Sequence, residues 1–86
     1  MTEKVAYYAI IRDGHPKNDP SGVARRTFTQ DGRLDEALRR NLTWDRDSVI
    51  YAWERGEELG GELVEISAAE AAELIERFRA EWGEPG

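Results

Sequence analysis

Apolar residues occupy both parities of the run from Val5 to Ile11, with Val5, Tyr7, Ala9 and Ile11 alternating against Ala6, Tyr8 and Ile10. A stretch that is apolar on both sides predicts a strand inside a sheet or covered on both faces. Residues 22 to 29 predict a second strand, with Ala24, Arg26 and Phe28 on one side and Val23, Arg25 and Thr27 on the other, and the two strands are expected to form a hairpin. The spacing of Leu34, Ala37, Leu38 and Leu42 fits one face of a helix over residues 33 to 42, with Asp35 and Glu36 in its first turn and Arg39 and Arg40 in its last, as the helix dipole prefers. Val49, Tyr51 and Trp53 then alternate with Ile50, Ala52 and Glu54, and the β-branched and aromatic content favours a strand over a helix. Gly56, Gly60 and Gly61 would connect it to a strand over residues 62 to 66, making a second hairpin.

The last element has the clearest signature. Ser67 followed by Glu70 is a capping box, and Ala71, Leu74, Ile75, Phe78 and Trp82 form one apolar stripe that ends at Gly83 and Pro85. The expected order is therefore ββαββα: an α+β fold with a four-stranded, largely antiparallel sheet and two helices on one face. Residues 1 to 86 are read as a single domain, with 84 to 86 as a disordered tail.

A chain of 86 residues buries only about 60 to 65% of the surface its unfolded form exposes, which disfavours a deep substrate cavity. There is no cysteine, so the fold rests on packing without disulfides, as suits a reducing cytoplasm. The apolar run near the start is too short for a membrane span or a signal core, and a cytoplasmic protein with no membrane association is expected. The net charge of −6 is unevenly spread: residues 57 to 86 carry nine glutamates against Arg77 and Arg79. Such acidity repels phosphate backbones, so nucleic acid is a disfavoured partner.

Candidate chemistry is sparse. His15 stands in the loop "DGHPKNDPS", with no second histidine and no cysteine to complete a metal site and no apparent nucleophile to serve. "DRDS" opens like a calcium loop at Asp45 and Asp47, but Ile50 and Gly56 occupy the places that require glycine and glutamate, so it reads as a turn. No phosphate-binding loop, dinucleotide fingerprint or catalytic triad is present. The expectation is a non-enzymatic protein without metal or cofactor. An exposed sheet face bearing Tyr7 or Tyr8, with Tyr51, Trp53 and Arg25 or Arg26, and the loop around His15 are the candidate interaction residues, and the partner would be another protein or a second copy of the chain. Alternatively Arg25, Arg26, Arg39 and Arg40 gather into a patch that binds a small anionic ligand or a short single strand of nucleic acid.

The running pattern "YYAIIRD…PSGVARRTFT.DG.LDEALRRNL.W", continued by "AWERG…LVEISAAEA", resembles short uncharacterised proteins of actinobacteria rich in Ala, Gly, Arg and Glu. That resemblance implies a stand-alone bacterial domain and carries no activity, cofactor or catalytic residue with it.

Overall fold

The apolar strand at the start and its partner open the structure as expected. The computed structural model describes residues 4–16, 19–57 and 60–83. In chain order these form β1 (Lys4–Arg12), β2 (Gly22–Thr29), β3 (Gly32–Leu38), β4 (Trp44–Arg46), α1 (Val49–Glu54), β5 (Gly61–Ile66) and α2 (Ala68–Trp82). The strands make one sheet in the order β4-β3-β2-β1-β5, antiparallel at every junction. β1 is an inner strand, paired with β2 on one side and β5 on the other.

Register decides which residues share a face. Ala9 stands opposite Val23 on β2 and Val64 on β5, so these project together, whereas Tyr8 stands opposite Ala24 and Glu65 on the other face. The capping box of α2 is formed: Ser67 Oγ accepts from the Glu70 N–H, and the Glu70 carboxylate accepts from the Ser67 N–H. The helix lays Leu74 and Phe78 on Ala9, Val23 and Leu38, with Leu42, Trp44, Ile66, Ile75 and Trp82 around them. α1 covers the opposite face, where Ile50 is wholly buried against Ala24, Ala37 and Leu63, flanked by Tyr8, Ile10 and Val49. The core is therefore two apolar clusters separated by the sheet.

This arrangement corrects the expected architecture in three places. Among the described residues the sheet has five strands, the two helices lie on opposite faces of it, and the order is ββββαβα. Residues 32 to 38 form a strand because two adjacent acid residues face two adjacent arginines across a hairpin, Arg25 opposite Glu36 and Arg26 opposite Asp35. The leucine that completed the helical spacing sits in the following turn, where the Arg39 N–H donates to Thr43 O and the Leu42 N–H to Arg39 O. Leu42 adopts φ 66°, a left-handed conformation costly for a branched residue. The packing of its side chain against the α2 cluster offsets that cost.

Residues 49 to 54 form a helix instead of a strand. Asp47 starts it by accepting from the Val49 N–H at 2.8 Å, and the turn this sets directs Ile50 into the sheet. The second expected hairpin is absent, since the strand after residue 60 pairs with β1. "DRDS" is divided between β4 and the approach to α1, with Asp45 and Asp47 carboxylates 3.5 and 3.3 Å from Arg39 nitrogens. The expected tail at 84 to 86 lies outside the described residues, as do Lys17 and Asn18 of the first loop.

β5 can approach β1 closely only because it begins with glycine. A Cβ at Gly61 would lie 2.1 Å from the carbonyl oxygen of Ile11 and 2.8 Å from Arg12 Cα, both of them backbone atoms that can move only with the sheet. Gly61→Ala should therefore destabilise the protein by about 1 to 3 kcal/mol, the usual cost of forced overpacking, measured as a lowered urea midpoint. An unchanged midpoint would show that β5 re-seats freely.

Candidate functional site

Neighbouring residues on a strand point to opposite faces, and this separates the Arg25-Arg26 pair. Arg26 lies on the α1 face and is only 3% exposed. Its guanidinium forks onto Asp35, with Nε to Oδ1 at 2.7 Å and Nη2 to Oδ2 at 2.9 Å, and Nη1 donates to Glu54 Oε2 at 2.9 Å. One buried cation thus joins β2, β3 and α1. These hydrogen bonds, first that of Asp35, raise the Arg26 pKa above its already high ordinary value. The hydrogen bond from Arg26 holds the Glu54 carboxyl below the usual carboxylate range.

Arg25 lies on the α2 face in a more open setting. Its Nε donates to Glu36 Oε1 at 2.9 Å, and its guanidinium lies 4.1 Å over the Trp44 ring. Arg39 is paired with Asp45 and Asp47, and Arg40 lies 5.3 Å from the Trp82 ring at the end of α2. The four arginines considered as an anion site are therefore not brought together: Arg25 and Arg26 are on opposite faces, and three of the four are engaged by carboxylates.

The aromatic candidates are also divided by the sheet. Tyr7 shares the α2 face with its cross-strand neighbours Arg25 and Ile66. Tyr8 lies on the α1 face with its ring 6.2 Å from Trp53 at a tilt of 56°. Burial, then the nearby charge of Glu65, pushes its phenol pKa up. Trp53 is 38% exposed although it rests on Tyr8, and Tyr51 is exposed on α1, where Arg55 lies 5.4 Å from its ring. His15 is exposed in the first loop, where its N–H donates to Arg12 O. No group of three or more Asp, Glu or His is placed to hold a metal ion among the described residues.

Three contributors are not evident from the sequence. Phe28 is exposed on the α1 face, two residues along β2 from Arg26, and extends the aromatic surface towards the strand end. Asp35 and Glu54 were assigned to a helix and to a strand, which hid their convergence on Arg26. A signal did exist for the first of them: "RR" at 25–26 and "DE" at 35–36 are equidistant from the turn at Gln30-Asp31, as a hairpin of opposed charges requires.

A groove of about 440 Å³ runs between α2 and β5, floored by Ala9, Val64, Ile66 and Leu74 and rimmed by Glu70 and Glu73. It is open to solvent, with Pro20 and Arg77 also in its lining, and among the described residues β5 has no partner strand on its outer side. No family model matches the chain, and no curated protein or solved structure matches it either. No helix among the described residues is long and apolar enough to cross a membrane.

The two arginines should respond differently to truncation. Arg26→Ala removes a buried guanidinium and strips the half-buried Asp35 of its partner, and should cost about 3 to 5 kcal/mol, whereas Arg25→Ala removes a partly exposed cation and should cost about 1 kcal/mol, both read from urea unfolding. Equal losses would mean that the buried network carries no special share of stability.

Acid should act through Glu54. Its carboxyl is more acidic folded than unfolded, so its contribution is complete above about pH 4.5 and disappears as pH falls through the lower folded value. The stability difference between the wild type and Glu54→Gln should accordingly shrink below pH 4.5, as followed by urea midpoints across an acid series.

Proposed function

We propose that the protein is a small non-enzymatic interaction module that binds another protein through the aromatic surface beside α1. The observation that carries this reading is the position of Trp53. A large indole rests on Tyr8 at the margin of the sheet and still offers more than a third of its surface to water. Ala6 and Phe28 continue the same face beyond the end of the helix. Aromatic groups that present area at small entropic cost are typical anchors of protein interfaces.

The titratable groups support the same reading. Asp35, Glu36, Glu54, Asp45 and Asp47 neutralise arginines, and His15 stands apart from them in its loop. Such a distribution builds and fixes a surface, and among the described residues it brings no acid, base and nucleophile to one cleft.

The test is capture from a native bacterial lysate on tagged protein, comparing wild type with Trp53→Ala. A protein recovered in stoichiometric amount by the wild type and reduced at least about tenfold by the variant, at unchanged melting temperature, is the expected result, since a truncated aromatic anchor costs about 2 kcal/mol or more. Equal recovery from both would remove Trp53 as an anchor and the reading with it.

A further inference from the structure

The β5 edge lies between two of the surfaces described above. On the α1 face its Glu65 neighbours Tyr8, the ring on which Trp53 rests. On the α2 face its Val64 and Ile66 form part of the floor of the 440 Å³ groove. β5 is six residues long and among the described residues pairs with β1 alone, whereas the opposite edge of the sheet is the three-residue β4. Among the described residues no strand pairs with its outer side, and an open sheet edge is the template to which an added strand pairs.

We propose that the β5 edge receives an extended basic segment of a partner protein as a sixth, terminal strand of the sheet. The proposal rests on the interaction-module reading and adds the chemistry of the partner. Main-chain hydrogen bonds to β5 would supply affinity. Alternate side chains of the segment would divide between the two faces, those on the α2 side lying over Val64 and Ile66 within reach of Glu70 and Glu73 and those on the α1 side standing beside Glu65 and Trp53.

Charge selects the occupant. Glu65, Glu70 and Glu73 line this margin, and none of them is in an ion pair among the described residues. The nearest cation on the rim, Arg77, is shared between Asp19 and Glu81. A second copy of the chain would bring the same carboxylates, Glu65, Glu70 and Glu73, to the same edge, a like-charge juxtaposition that disfavours self-pairing. A lysine- or arginine-bearing strand meets the edge with the opposite sign.

The experiment uses the whole chain and three fluorescein-labelled octapeptides: alternating Lys and Val, alternating Glu and Val, and the Lys-Val peptide N-methylated at every second residue. Fluorescence anisotropy at low salt should show the Lys-Val peptide binding at least about tenfold more tightly than either of the others, with the preference falling as salt screens the charges. Glu65→Lys/Glu73→Lys, two exposed substitutions, should weaken the Lys-Val peptide at least about tenfold as well. Amide hydrogen exchange should slow at residues 61 to 66 when that peptide is added.

Three results would overturn the proposal. Equal binding of the N-methylated peptide would mean that charge attracts it without strand pairing. Absence of binding by the Lys-Val peptide would mean that the edge is closed to added strands. Concentration-dependent protection of residues 61 to 66 in the protein alone would give the edge to a second copy. If the peptides fail while Trp53-dependent capture persists, the edge proposal falls and the interaction module stands; if both fail, both fall.

Discussion

The fold turns on a single buried guanidinium. Arg26 has planar donors in a fixed fork, and taking such a cation out of water is costly unless its donors meet acceptors of opposite charge. Asp35 meets two of them from β3 and Glu54 a third from α1. A slip of one residue between β2 and β3 would leave one arginine without its facing carboxylate and turn the side chains of β2 to opposite faces, taking Ala24 out from beneath Ile50. The pair alignment thus fixes the hairpin register, and the register positions Ala24 and Ala37 as the small residues beneath Ile50. α1, with six residues, is far too short to persist alone and is held by that contact together with Ile50.

This dependence also explains which parts of the structure were legible in the chain. β1 and β2 were readable because seven successive apolar residues and a clean alternation each admit one interpretation, and α2 because its capping box and stripe agree. Residues 33 to 42 and 49 to 54 were exchanged, the strand read as helix and the helix as strand. In the first, Leu42 completed a helical spacing from within a turn. In the second, β-branched and aromatic propensity pointed to a strand, whereas a carboxylate at Asp47 and a deep site for Ile50 produced a helix. Local preference was overridden in both by contacts with residues distant in the chain, and these are invisible to periodicity.

The candidate surface suffered from the same exchange. Tyr8, Trp53 and Arg26 were all named, but which side of the sheet each faced depended on the state of residues 49 to 54. With those residues helical, Trp53 comes to rest on Tyr8 and Glu54 reaches Arg26, so the aromatic surface and the buried ion network are two sides of one helix placement. The acidic character of the second half of the chain is likewise sorted by structure. Part of it is spent internally on arginines, and part stays along β5 and the start of α2, giving one margin of the sheet a sign of its own.

The two apolar clusters, separated by the thickness of the sheet, have a consequence for how this chain tolerates change. Ala9, Val23 and Phe78 on one side do not share packing neighbours with Ala24, Ala37 and Ile50 on the other. Substitutions in separate contact networks combine nearly additively. A change in packing beneath α2 should therefore leave the contacts around Ile50 nearly as they are, and the aromatic groups beside α1 can be altered without compensating changes beneath α2.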